Sequence, residues 1–371
     1  MKYYIIAGEA SGDLHGSNLI KEIKKLDADA LIRCWGGDLM NEAGGVLVKH
    51  HRDLDFMGFI EVIQNLTVIL NNIKFCKKDI SAFQPHAVVL IDYPGFNLRI
   101  AQWAKSQGFK IIYYISPQVW AWKESRVKLI KKVVDKMLVI LPFEKDFYEI
   151  KWNYKVEYIG HPLVQVVNEY VRNNNGEIEF IKPVIALLPG SRRQEVAIKL
   201  PIMLEASKSF PQYQFILAKA TSLDDSFYEE LLKNYPHIIT LRNETYKILA
   251  QSTAALVTSG TATLETALFK VPQVVCYKGS AISYQIAKRL VRIKYISLVN
   301  LIMDREVVTE LIQDKLTPEN LVKELDGILN NKDRIATIQK DYEELISLLD
   351  AEDNASKKAA QVIYNFSLPT F

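Results

Sequence analysis

Residues 1–25, MKYYIIAGEASGDLHGSNLIKEIKK, decide the fold class. Residues 3–7 form an apolar run of strand length, rich in aromatic and β-branched side chains. Residues 17–26 place Leu19, Ile20, Ile23 and Leu26 with the period of an amphipathic helix. A strand feeding a helix is half of a βαβ unit. The intervening AGEASGDLHG (7–16) reads as a turn of small residues. Small residues let backbone approach a ligand, but Glu9 and Asp13 are acidic, which is unusual for a phosphate cradle. The stretch is not the dinucleotide fingerprint, because Gly8 and Gly12 are the only glycines of GEASGD.

The pattern recurs. Short Val/Ile-rich runs stand at 87–92, 110–116, 137–141, 184–190, 214–218, 254–260 and 272–277, and helical patterns separate most of them. This alternation predicts parallel, doubly wound α/β sheets. The polar stretch VRNNNGEIEFIKP (171–183) interrupts it and reads as a linker. The expected organisation is two Rossmann-like lobes, 1–170 and 171–349, facing a central cleft. The last helical pattern, within 350–371, is expected to pack back on the first lobe.

Composition narrows the functional classes. The chain has 371 residues, 49% hydrophobic and 24% charged, ordinary for a soluble globular protein. Cys34, Cys76 and Cys276 are too few and too scattered for a disulfide framework or a metal cluster, which fits a reducing cytoplasm. No run reaches the ~20 apolar residues of a membrane span. The net charge of +3 is too small to argue for nucleic acid. Basic residues do cluster, in KESRVKLIKKVVDK (123–136) and AKRLVRIK (287–294).

Ligands of open α/β sheets bind at the carboxyl ends of the strands. Four such ends carry chemistry. In GEASGD, the amides of Ser11 and Gly12 are expected to point into the cleft at a helix start, unless the turn is purely structural with Asp13 as a cap. In LIDYPGFN, Asp92 ends an apolar strand. It is either a desolvated proton acceptor or a structural carboxylate receiving loop amides. In LLPGSRRQEV, Gly190, Ser191 and Arg192 suit a diphosphate, although there is no Walker lysine. In SGTATLE, Ser259, Gly260 and Thr261 turn into a helix, and Glu265 can accept both hydroxyls of a ribose. His161 opens a helix and is a candidate cleft residue. The six histidines lack ligand spacing, so neither a metal nor another cofactor is expected.

One helix has surplus apolar surface. In residues 56–80, Val62, Leu66, Ile69, Ile73, Cys76 and Ile80 form one stripe. Val68 and Phe75 fall on the other side beside Lys74 and Lys78, and Ile63 and Leu70 flank the stripe. This is the pattern of a lipid-facing helix, or of an irregular core helix.

AGEASGD, MGFIEV, LIDYPGFN, YYISPQVWAWKESRV, LPFEKDFY, IGHP, LLPGSRRQEV, SGTATLE and SLVNL occur in this order. Together they resemble the lipid-A-disaccharide synthase family. The resemblance implies a glycosyltransferase B-type fold and no metal. It implies transfer of 2,3-diacylglucosamine from UDP-2,3-diacylglucosamine to the 6-hydroxyl of 2,3-diacylglucosamine 1-phosphate, with inversion. By it, Asp92 and Arg192 are catalytic, and Glu265 and Asn300 contact the nucleotide. Glu9, Ser11, Gly12, Asp13 and His161 are assigned to the acceptor side. The chain departs from the family pattern at Gly95, where an Asp is common, and at Val299, where a Pro is common. The implied setting is the inner face of the cytoplasmic membrane, with an anionic lipid surface as partner, no nucleic acid, and a homodimer as one expected assembly. Two other readings share the plan: a UDP-N-acetylglucosamine 2-epimerase and a two-lobed binding protein.

Overall fold

The computed structural model describes residues 1–54, 66–173, 180–279, 293–350 and 354–368. They form two units, Met1–Pro162 with Leu349–Phe371, and Leu163–Leu348. In the first unit, the seven strands β1 (Lys2–Ala7), β2 (Leu31–Gly36), β3 (Val46–His50), β4 (Ala87–Ile91), β5 (Lys110–Tyr114), β6 (Lys136–Val139) and β7 (Glu157–Tyr158) make one sheet. Its order is β3-β2-β1-β4-β5-β6-β7. In the second, β8 (Val184–Leu188), β9 (Gln214–Lys219), β10 (Ile239–Arg242), β11 (Ser252–Thr258), β12 (Gln273–Tyr277) and β13 (Thr309–Ile312) lie in the order β10-β9-β8-β11-β12-β13. Every pairing is parallel.

The central strands are the ones visible as apolar runs. β4 and β8 are buried at every residue because helices cover both faces. Five strands gave no clear apolar run: β2, β3, β7, β10 and β13. Four of them are sheet edges and β2 is next to one. An edge strand needs less apolar surface, so TELI can carry Glu310.

The first helix corrects the reading of the 7–16 stretch as a turn. It runs from Ala10 to Leu26, so most of that stretch is helical. Its glycines serve packing rather than a loop. A Cβ at Gly12 would press on Ala7, and one at Gly16 would collide with the Met40 sulfur. Gly8 lies against the ring of Tyr93, which leaves no room for a side chain. Asp13 is buried and does not cap its own helix. Its carboxylate accepts from the amides of Gly37 (2.7 Å), Met40 (3.0 Å) and Leu39 (3.2 Å), at the start of helix Asp38–Glu42. That carboxylate is therefore committed to the fold, which corrects its assignment to the acceptor group.

The helix Ala355–Ser367 packs on Ala10–Leu26 in the first unit, burying Ala355, Ala359, Ala360 and Ile363. Lys110 fastens its end by donating to the carbonyls of Phe366 and Leu368, both at 2.9 Å. The unit boundary lies at the start of helix Pro162–Asn173, ahead of the polar 171–183 stretch.

Removing Asp13 strands three amides with little access to water. Asp13→Ala is expected to destabilise the protein by about 2–4 kcal/mol. Urea denaturation followed by circular dichroism measures this, and a loss under about 0.5 kcal/mol would contradict the capping role.

Candidate active site

In the first unit, the site is built on a strained turn. Asp92 and Tyr93 follow β4 with φ of +41° and +45°, and Ile115 follows β5 with φ of +64°. Left-handed backbone costs a β-branched or aromatic residue of order 1–3 kcal/mol. Hydrogen bonds hold it. The Asp92 amide donates to the Ile115 carbonyl at 3.2 Å. The Asp92 carbonyl accepts from the Tyr113 hydroxyl at 2.6 Å and from Asn97 Nδ2 at 2.8 Å. Asn97, wholly buried, also donates to the Ile91 carbonyl. The turn therefore fixes the backbone while the Asp92 carboxyl is left partly buried at the strand end.

That carboxyl is pushed up to about 7, chiefly by burial and then by the nearby charge of Glu9; the Tyr93 amide opposes the shift. Glu9 is the residue before helix Ala10–Leu26. The amides of Ala10, Ser11 and Gly12 occupy the helix's first turn, where backbone N–H groups have no intrahelical acceptor. Ser11 is exposed and Gly12 is buried. Gly95 is exposed and open to space. His161 is buried. Its imidazole is pushed down to about 3 by burial and by His15, and its amide donates to the Leu349 carbonyl.

A second buried carboxylate, Glu144, supports the SPQVWAW loop. It accepts from Trp120 Nε1 at 3.1 Å and from the amides of Leu141 (3.1 Å) and Ile140 (3.3 Å). Burial pushes it up to about 7. The sequence reading passed over Glu144.

In the second unit, Gly190 has φ of +107°, and Arg192 is the residue before helix Arg193–Ser207. Arg192 is exposed and its Nη1 donates to Glu195 Oε1 at 3.3 Å. Gly260, with φ of +140°, precedes helix Thr261–Leu268. Ser259 donates its hydroxyl to the Ile296 carbonyl at 2.8 Å, and Thr261 is exposed. Glu265 accepts from the Tyr246 hydroxyl at 2.8 Å, and burial raises its pKa. Tyr246 is itself wedged by Tyr170 and Phe269.

Asn300 is a correction. It is wholly buried and its amide is spent on the fold. Nδ2 donates to the Val308 carbonyl (2.8 Å) and to Glu310 (3.0 Å), while Oδ1 accepts from the amides of Val307 and Val308. Glu310 also accepts from Ile296 N and from both Ser297 donors. Asn300 thus fixes the 296–310 segment rather than presenting a group to a nucleotide. Of its partners, Glu310 lies on β13, an edge strand that the sequence pattern hides, and Val307 and Val308 lead into that strand.

Of the expected stripe, Ile73, Cys76 and Ile80 on helix Leu66–Phe83 are buried and Ile69 is partly so. Val68, Leu70 and Phe75 are 42%, 48% and 48% exposed, and Lys74 and Lys78 are exposed. Phe75 also leans on Trp35, with ring centroids 6.1 Å apart. Ile63, MGFIEV and most of 287–294 lie outside the described residues. Among the described residues, no helix is long and apolar enough to cross a membrane, and no three His, Cys, Asp or Glu side chains converge as metal ligands.

Solved structures share this architecture. A UDP-GlcNAc 2-epimerase from Neisseria meningitidis, bound to UDP-GlcNAc, superposes with a TM-score of 0.69 at 12% identity, covering 98% of this chain and 100% of that one. The glycotransferase of kitacinnamycin gives 0.68 at 13% identity, with 99% of each chain covered. The class is therefore the two-unit parallel α/β fold shared by glycosyltransferases and these epimerases, and at such identities the likeness is one of fold alone.

Sequence comparison is more specific. The family model described as lipid-A-disaccharide synthetase matches residues 3–365. A lipid-A-disaccharide synthase of Geobacter metallireducens is 40% identical over 336 residues, 88% of this chain and 87% of that protein. One from Syntrophus aciditrophicus is 39% identical over 370 residues, 97% and 96%. The chain belongs to the lipid-A-disaccharide synthetase family, and it is a glycosyltransferase.

The Asp92 carboxyl makes stability depend on pH. Between the ordinary 3.8 and about 7, the folded state holds a proton that the unfolded chain has released. The contribution of this group is therefore fully present at low pH and is lost as pH rises through that window. Asp92→Asn should match the parent below pH 4 and exceed it by about 1–3 kcal/mol above pH 7. Chemical denaturation across pH measures the difference; a constant difference would contradict the shift.

Proposed function

We propose that this chain transfers 2,3-diacylglucosamine from its UDP derivative to the 6-hydroxyl of 2,3-diacylglucosamine 1-phosphate, with Asp92 as general base. The observation that carries the assignment is the Asp92 carboxyl itself, presented at a strand end and pushed up to about 7. A base of that strength accepts a hydroxyl proton near neutral pH without being wholly protonated beforehand. The acceptor oxygen attacks C1 of the donor sugar from the face opposite UDP, and the C1–oxygen bond to the diphosphate breaks. The proton passes to Asp92. A single displacement inverts the anomeric centre and needs no nucleophilic side chain.

The second unit supplies the groups for UDP. Gly190 and Ser191 form the turn, and the guanidinium of Arg192 meets the charge that grows on the leaving diphosphate. Ser259, Gly260 and Thr261 offer a second helix start, and Glu265 accepts the ribose hydroxyls. The first-turn amides of Ser11 and Gly12, with Glu9 beside Asp92, serve the acceptor. His161, buried and neutral, lends shape rather than charge.

Asp92→Asn should lower kcat by about 10²–10⁴-fold with UDP affinity nearly unchanged. A loss confined to KM, in assays with the two lipid substrates, would make Asp92 a binding residue. Arg192→Ala should lower turnover by at least ~10²-fold.

Both substrates carry acyl chains, so the enzyme works at an anionic lipid surface, on the cytoplasmic face in this reading. Val68, Leu70 and Phe75, exposed beside Lys74 and Lys78, are the contact surface that the helix offers. Sedimentation with vesicles containing phosphatidylglycerol should fall several-fold in Val68→Ser/Phe75→Ser, since each buried methylene is worth ~0.8 kcal/mol. Undiminished sedimentation would move the contact elsewhere.

A further inference from the structure

Helix Arg193–Ser207 carries a lysine where its packing face calls for an apolar side chain. Lys199 falls among Val196, Leu200 and Met203, all fully buried, and its own side chain is 2% exposed. Its Nζ donates to Glu195 Oε2 at 3.1 Å and to the hydroxyl of Thr258, the last residue of β11. A Cβ built on Gly190 would stand 3.3 Å from Glu195 Oε2 and 3.8 Å from Lys199 Nζ. The ammonium therefore lies directly beneath the turn that leads into Arg192. The other oxygen of Glu195 accepts from Arg192 at 3.3 Å. One carboxylate is shared between an exposed guanidinium and a buried ammonium.

We infer that Lys199 is a positioning residue that lets Arg192 leave Glu195 for an incoming phosphate. The inference rests on Arg192 being the diphosphate contact. To meet a phosphate with both arms of its fork, the guanidinium must give up Glu195. Glu195, whose side chain is 37% exposed, would then stand as an unpaired negative charge beside the phosphate. Lys199 limits that, because Glu195 keeps an ammonium partner after Arg192 has swung away. Its positive charge also lowers the repulsion that Glu195 would exert on a diphosphate held at the guanidinium. Thr258 holds the ammonium in place, and Glu195 works against the downward pull of burial on its pKa. Without Lys199, Glu195 and the phosphate compete for Arg192.

Calorimetric titration of the full chain with UDP at pH 7.5 tests this. Arg192→Ala should weaken UDP binding; if it does not, the reading of Arg192 itself fails. Given that loss, Lys199→Met should weaken binding by about 10-fold, and Lys199→Met/Glu195→Gln should return it to within about 2-fold of the parent. A merely structural lysine would not be rescued by removing the charge on Glu195. Parent-like binding in Lys199→Met, or no recovery in the double variant, overturns the proposal. Should Lys199→Met fail to fold, Glu195→Gln alone decides. It removes the charge that draws Arg192 to Glu195 and should bind UDP at least as tightly as the parent, and weaker binding overturns the inference.

Discussion

The Asp92 carbonyl accepts from Tyr113 and from Asn97 at once, and the candidate site depends on this pair of hydrogen bonds. They come from β5 and from the helix Pro94–Ser106, the two elements that meet the end of β4. They hold two successive non-glycine residues in the left-handed region, a conformation the chain would not keep unaided. Gly8 completes the arrangement by leaving space for the Tyr93 ring against the β1 turn. The consequence is chemical. With its backbone fixed by neighbours, the Asp92 side chain lies partly desolvated beside Glu9, with the Tyr93 amide as a donor.

The second unit uses carboxylates in the opposite way. Glu310 gathers the amides of Ile296 and Ser297, the Ser297 hydroxyl and the Asn300 amide, and so fixes the segment beside Ser259. Glu195 links Arg192 to Lys199. Glu265 is matched by Tyr246. Each of these acids has a donor that limits its negative charge. The first unit, which takes a neutral hydroxyl in the proposed reaction, leaves Glu9 and Asp92 close enough to raise the pKa of the latter.

Much of this was legible in the sequence where burial and residue type coincide. The strands in the sheet interiors are apolar runs because helices cover both faces. Asp92, Gly190, Arg192 and Gly260 could be located because they end or closely follow such runs, Glu265 because it falls one turn into the next helix, and the exposed and buried sides of helix Leu66–Phe83 follow from helical period. The edge strands were hidden because one neighbour fewer relaxes their composition. Asp13 misled because its amide partners lie 24–27 residues away, on another helix start. Asn300 misled because its partner Glu310 lies on one of those edge strands. Lys199 and Glu144 were passed over, although a lysine inside the stripe Val196, Leu200, Met203 was a readable sign of a buried ion pair.

The central claim is that the fold holds the Asp92 carboxyl in a state where it can take a proton near neutral pH. The most direct measurement is the titration of its ¹³C-labelled carboxyl carbon by NMR, assigned by its loss in Asp92→Asn and repeated in Glu9→Gln. The account predicts an apparent pKa near 7 in the parent and a lower value once the charge of Glu9 is removed. A midpoint near the ordinary 3.8, with no response to Glu9→Gln, would contradict it.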